Sequence, residues 1–274
     1  MRTALDQRCI DEGFTNRWDV RIAGATASTN SDLLREARGG HAFTRPTVLA
    51  AEIQTAGRGR LGRSWNSAPG ASLTASYALC VARRIGALEG ISLVCGLAVR
   101  DALARHGVRA ELKWPNDVLV DGRKLAGILV EAHALPTSTI VIVGVGINLL
   151  PRGSDTASSD ACAVTPAITA ITAIDLQSAG SALQDRNVLA ADLGIAIEKR
   201  FARFAETGFA EFASEWNAVY AFRNRRVSLG TAINDTVFGI ERGVDATGRL
   251  VIEIGGKQRR FIAGDLSLRA LASA

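Results

Sequence analysis

The sequence predicts an α+β protein, with a mixed sheet flanked by helices over residues 1–222 and a small β-barrel domain over residues 223–274. Three observations lead there. Short runs rich in β-branched residues alternate with two long helical stretches up to Phe222. After Asn224 the pattern changes to short strands broken by glycine. A hydrophobic content of 47% in 274 residues is ample for packed cores.

Thr47 to Glu52 is a short apolar run, and Ala71 to Cys80 sets Leu73, Ala75, Tyr77 and Leu79 against Ser72, Thr74 and Ser76, so both read as strands. Ile53 to Gly70, between them, is too polar and glycine-laden for regular structure and reads as a loop held between strands. Leu88 to His106 repeats apolar residues at helical spacing and stops at Gly107. Ala110 to Trp114, Val118 to Val120 and Leu125 to Val130 follow as strands, with Asp121-Gly122-Arg123 as a hairpin connection. Ile140 to Val145 continues into Gly146-Ile147-Asn148 as another strand. From Arg152 to Gln184 the composition turns to Ser, Thr, Ala, Asp and Gly, which predicts a mobile surface excursion with a short helix near Thr165 to Ile174. Asn187 to Tyr220 is helical, with Phe201, Phe204, Phe209, Phe212 and Trp216 as a core stripe. Arg226 to Leu229, Val237 to Glu241 and Leu250 to Ile254 are the strands of the tail.

Composition narrows the function. No segment approaches the roughly 18 apolar residues of a membrane span, and Met1 to Asp19 has no signal-like apolar stretch, so a cytoplasmic location is expected. Cys9, Cys80, Cys95 and Cys162 lie far apart, and His41, His106 and His133 form no HExxH pattern, so no zinc site is expected. The net charge of +5 suggests an affinity for anions. Arg58, Arg60 and Arg63, interleaved with Gly57, Gly59 and Gly62, form the densest cluster and suit a loop gripping one anion.

Four stretches carry candidate chemistry. In EIQTAGRGRLGRSW, Glu52 to Trp65, glycines let backbone N–H groups approach a ligand, and arginines supply forks for phosphate or carboxylate oxygens. A solvated basic hairpin would carry the same spacing. In LKWPNDVLV, Leu112 to Val120, proline excludes a helix at Trp114, so Lys113, Asn116 and Asp117 cluster at a strand end where a metal-nucleotide fits. RKLAGILVE, Arg123 to Glu131, has Lys124 at its mouth and Gly127 where close backbone approach is expected. GVGIN, Gly144 to Asn148, runs a strand into a glycine-flanked asparagine.

In this order, and with STN at Ser28 to Asn30, these motifs resemble the catalytic domain of the biotin protein ligase family, and GDLSLR at Gly264 to Arg269 is similar to its closing segment. The resemblance implies a class II synthetase-like catalytic domain followed by an SH3-like barrel. It implies that Ser28, Thr29, Asn30 and Gln54 meet the ureido end of biotin. Arg58, Gly59 and Arg60 would enclose the biotin tail and the nucleotide phosphate, with Lys124 between carboxylate and α-phosphate. Trp65 would pack on adenine, and Arg63 and Asn148 would contact the nucleotide. Asn116 and Asp117 would serve the phosphates of ATP and their Mg²⁺, the protein alone holding no metal. Lys113 is a second phosphate contact or a supporting ion-pair residue.

The activity so implied has two steps. The biotin carboxylate attacks ATP to give biotinyl-5′-AMP, and a lysine of a biotin carboxyl carrier domain, from an acyl-CoA or pyruvate carboxylase, then takes the biotin. Lys124, Arg60, Asp117 and Lys113 are the candidate catalytic residues, with Asp117 helping to deprotonate the acceptor amine. Some family members add an N-terminal helix-turn-helix; about 25 residues precede STN here, so no specific DNA binding is expected. A lipoate-type ligase would share the acyl-adenylate logic. A basic nucleic-acid-binding module would use the same arginines but leaves KWPND and GVGIN unexplained. Nothing in the residues chooses between monomer and homodimer.

Overall fold

The computed structural model describes residues 3–151, 171–183, 185–230, 236–263 and 266–271. The first part runs α1 (Gln7–Gly13), β1 (Asp19–Thr26), α2 (Thr29–Arg38), β2 (Thr47–Gln54), β3 (Ser72–Val81), α3 (Ile91–Arg105), β4 (Glu111–Lys113), β5 (Asp117–Val120), β6 (Arg123–Ala134), β7 (Thr139–Asn148), α4 (Arg186–Thr207) and α5 (Ala210–Ala218). Its seven strands form one sheet in the order β1-β2-β3-β7-β6-β5-β4. β1 and β2 are parallel, with α2 as the crossover, and the remaining neighbours are antiparallel, so the sheet is mixed as expected. The tail adds β8 (Arg226–Gly230), β9 (Thr236–Val244), β10 (Leu250–Ile254), β11 (Lys257–Phe261) and β12 (Ser267–Ala270), an antiparallel sheet ordered β11-β10-β9-β8-β12.

The two faces of the large sheet bury different things. Leu73, Ala75, Tyr77, Val143 and Val145 share one core with residues of α3 and α4, including Val94, Leu97, Leu193 and Ile197. On the other face Leu49, Ala78, Ile140 and Ile142 pack under Leu33, Leu34 and Ala37 of α2. Beyond the N-terminus of α2 that second face changes character. The register continues from those apolar positions into Ser76 and Gly144, then Thr74, Gly146 and Gly127. Small and polar side chains there leave room that apolar ones would have filled.

Several features depart from the pattern read in the sequence. β1 and α2 escaped it, because β1 is a half-exposed edge strand without clean alternation and α2 is short and polar on average. The long helix expected from Asn187 to Tyr220 is two, interrupted at Gly208 (φ 70°). The helix expected from Leu88 begins at Ile91, since Gly90 (φ 79°) lies so close to Phe209 that a Cβ would sit 2.4 Å from its ring. Ser72, Thr74 and Ser76, expected on a polar face, are at most 2% exposed, because β3 is central and covered on both sides. The excursion expected from Arg152 lies outside the described residues up to position 170. Where description resumes at Ile171 the chain is extended, and Ala173 bridges Lys124 in parallel, so this end of the expected helix is not helical.

The segment that leads from α5 into the small sheet pairs with β4 of the large one through its backbone. Ala221 N–H donates to Leu112 O, and Leu112 N–H to Val219 O, both at 2.9 Å. The Asn217 amide of α5 pairs with both backbone groups of Val244, at 2.9 and 2.8 Å. Arg186, 1% exposed at the start of α4, donates to both oxygens of Glu52 and to Thr3 O, which ties the N-terminal segment to β2. Among the described residues no helix is long and apolar enough to cross a membrane.

Candidate active site

A row of side chains crosses the sheet from β2 to β4. Successive partners are Ala51, Thr74, Gly146, Gly127, Asp117 and Lys113. The two glycines stand opposite each other on neighbouring strands and form a flat floor. Trp65 lies on it: a Cβ at Gly146 would sit 2.3 Å from the indole, and one at Gly127 3.2 Å. Gly144, on the next row, is covered by Asn30, whose Oδ1 would lie 2.5 Å from a Cβ there. The glycines of RKLAGILVE and GVGIN are therefore positions where a side chain from a loop or helix must touch the strand.

Lys124 reaches this face through a β-bulge. The register slips between Val118 and Leu119, so β6 carries one extra residue, and Lys124 pairs with Leu119 instead of Val120. Without the slip Lys124 would share the face of Ala126, away from Gly127. With it, Lys124 Nζ lies 2.7 Å from Asp117 Oδ1 and 6.0 Å from the centre of the Trp65 ring. Lys113 Nζ sits 2.7 Å from the other oxygen, Oδ2.

Asp117 is therefore a shared post for two ammonium groups. Burial by itself would raise its pKa, but Lys113 and Lys124 outweigh burial and hold the carboxyl well below the usual range. A carboxylate so paired is a weak base. The expectation that Asp117 helps to deprotonate an acceptor amine gives way to one in which it orients lysines, and Lys113 takes the ion-pair alternative. A Mg²⁺ contact at Asp117 would have to share oxygens that each already face an ammonium group. The Asn116 amide donates to Ile128 O at 2.8 Å and pins the turn after β4. No cluster of three or more His, Cys, Asp or Glu side chains that could hold a metal gathers among the described residues.

The STN motif meets the same cavity from the side of α2. Ser28 caps the helix, its Oγ facing Ser31 N–H at 3.5 Å. Gln54 Oε1 accepts from the Thr29 backbone N–H at 2.9 Å and faces its hydroxyl at 3.2 Å. Thr29 and Ser76 hydroxyls lie 2.7 Å apart, and Ser76 donates to Asn30 Oδ1 at 2.7 Å. The glycine-arginine loop folds over the opening as a small hairpin with Arg58 bridging Ser64. Arg60 donates to Ala263 O, which follows β11, and Leu266 and Leu268 complete the wall there. Asn148, 5% exposed, donates to Ile174 O at 3.0 Å and so holds the returning strand that lines the far end.

Every candidate lies in one cavity: Ser28, Thr29, Asn30, Gln54, Arg58, Gly59, Arg60, Arg63, Trp65, Lys113, Asn116, Asp117, Lys124 and Asn148 all line it. Sequence reasoning missed Thr74 and Ser76, read as a strand's polar face, and Ile171 and Ala173, read as part of the excursion. It also missed Glu131, which receives both Asn30 and Arg58. The signal for Ser76 was a hydroxyl-bearing alternation in a strand that lies between two mostly apolar ones.

Comparison with known proteins places this architecture. Residues 24–148 match the biotin/lipoate A/B protein ligase family model, and residues 223–269 match the biotin protein ligase C-terminal domain. The biotin--[acetyl-CoA-carboxylase] ligase of Mycobacterium tuberculosis is 34% identical over 275 residues, covering 97% of this chain and 96% of that protein. The bifunctional ligase/repressor BirA of Escherichia coli is 37% identical over 223 residues, 80% of this chain and 65% of that protein. The biotin protein ligase of Aquifex aeolicus, solved in complex with biotin and ATP, superposes with a TM-score of 0.70 at 27% identity, covering 92% of this chain and 97% of that one. A catalytic-type sheet with its arginine loop, a matching C-terminal domain and end-to-end similarity to a curated ligase agree, and the chain belongs to the biotin protein ligase family.

Proposed function

We propose that this protein activates biotin with ATP to biotinyl-5′-AMP and transfers the biotin to a lysine of a biotin carboxyl carrier domain. The observation that carries the reading is the Lys124 ammonium, held 2.7 Å from Asp117 on the cavity floor beside the Trp65 ring and beneath an arginine loop. A biotin carboxylate attacking the α-phosphorus brings two anions together as pyrophosphate leaves. Cations set before the reaction starts stabilise the charge that develops. Lys124 is one of them, and Arg58, Arg60 and Arg63 bring three guanidinium forks to the mouth.

The hydroxyls of Thr29 and Ser76 and the amide of Gln54 offer the donors and acceptors that a ureido ring needs. Trp65 on its glycine floor offers a face for adenine, and Asn148 borders the same end. Mg²⁺ would arrive on the phosphates of ATP, neutralising charge there. In the second step the acceptor amine attacks the mixed anhydride and AMP leaves. Asp117 contributes by fixing Lys113 and Lys124.

The test is biotin-dependent exchange of labelled pyrophosphate into ATP by the full-length protein. Exchange with biotin and none with lipoate is expected. Exchange with lipoate alone would transfer the assignment to a lipoate-type ligase, and exchange with neither would remove the adenylation chemistry.

A further inference from the structure

Glu131 ends the RKLAGILVE motif at the rim of the cavity, on the sheet face shared with Gly127 and Leu129. Its Oε2 accepts from Arg58 Nη2 at 2.8 Å and from Asn30 Nδ2 at 2.8 Å. The two donors come from different parts of the molecule. Arg58 belongs to a glycine-rich hairpin whose tip, Leu61, is 44% exposed. Asn30, 3% exposed, is part of the rigid frame: Ser76 donates to its Oδ1, and its amide lies against Gly144.

The Glu131 side chain is 21% exposed, so its bond to the guanidinium is less screened than an open surface pair. One carboxylate oxygen thus joins a loop with little packing of its own to β6 and, through Asn30, to α2 and β3. We propose that Glu131 is a positioning residue that latches Arg58, and with it the glycine-arginine loop, in its closed place, and so sets how long an acyl-adenylate stays in the cavity. The proposal rests on the adenylate-forming reading above. An acyl-adenylate is lost by dissociation or to water if its cover opens, so a latch remote from the reacting atoms acts on retention and not on the bond-forming step.

Glu131→Gln keeps an acceptor for Asn30 and removes the charge that holds Arg58. With the full-length protein loaded with labelled biotin and ATP, then chased with unlabelled biotin, the variant is expected to release the adenylate about tenfold faster, the equivalent of losing one charge-assisted bond. In pyrophosphate exchange its biotin KM should rise about tenfold while kcat at saturating biotin stays within about twofold. In an Arg58→Gln background, adding Glu131→Gln should change retention by less than about twofold, because the latch is already open. Should Glu131→Gln fail to fold, Arg58→Lys, which keeps the charge and loses the fork, is expected to give intermediate retention, and wild-type retention there would overturn the latch. Wild-type retention in folded Glu131→Gln, a fall in kcat at unchanged KM, or additive effects of the two changes would also overturn it. Absence of exchange in the wild-type protein would instead remove the adenylation reading, so the two failures are distinguishable.

Discussion

Two carboxylates, Asp117 in the large sheet and Glu241 in the small one, are kept in opposite states of charge. Asp117, on the floor of the large sheet, has an ammonium on each oxygen and stays ionised far below the ordinary carboxylate range. Glu241, fully buried in β9 where the small sheet joins the large one, is pushed up to about 8 by burial, despite the Gly243 N–H, Arg223, Tyr220 and Arg242 around it. Depth does not separate them, since burial opposes the charge at both. Contact does: two cations at 2.7 Å outweigh desolvation, whereas one backbone N–H and more distant arginines do not. A charged carboxylate suits a site that handles phosphate anions with lysines, and a neutral one suits a joint.

The largest effect that would test this contrast is at Lys124. Lys124→Ala is expected to slow adenylate formation by about 10²–10³, with biotin affinity changed much less, because the ammonium acts where charge develops. Single-turnover adenylation and calorimetric biotin titration on the same variant check it, and a near-normal rate would take Lys124 out of the reaction. Asp117→Asn comes next. It leaves two partly buried ammonium groups without their counter-charge and should cost about 3 kcal/mol of stability, since breaking a buried pair costs more than the pair contributes. Denaturant unfolding at neutral pH measures it, and a loss under about 1 kcal/mol would mean that water already screens the lysines.

Glu241 should show the opposite pH behaviour. Its folded pKa lies above the unfolded value, so below about pH 4.5 it is neutral in both states and its contribution is intact. As pH rises toward about 8, the unfolded chain loses the proton and the folded one keeps it, so stability falls across that window. Glu241→Gln should flatten this fall and stabilise the protein by about 4 kcal/mol at pH 9 relative to pH 5. Parallel curves for variant and wild type would show Glu241 to be ionised in the folded state. The smallest effect is expected at Gly146→Ala, where the new methyl pushes the Trp65 indole off its floor. A rise of about tenfold in KM for ATP, with biotin KM within about twofold, is the expected result of losing one stacking face.

Legibility in the sequence followed locality. The glycine-arginine loop, KWPND and the Asp121-Gly122 hairpin were readable because each is a short chemical signal, and Asp121 (φ 50°) and Gly122 (φ 71°) take the conformation their residue types favour. β1 and α2 were not, because an edge strand and a short polar helix gain their stability from what they pack on. Asp117 shows the same limit within the site. Its place in the motif was plain, but its role changed once two lysines met it.

The sequence by itself determined the α+β class, the change of character after Asn224 and the motif residues that meet in the cavity, since these depend on composition, periodicity and motif. Only the tertiary structure decided that Gly127 and Gly146 stand opposite each other, that a bulge turns Lys124 toward Asp117, and that Glu131 receives both Asn30 and Arg58. Register, bulges and long-range pairs are set by how strands from distant parts of the chain align, and no local window of sequence contains that information.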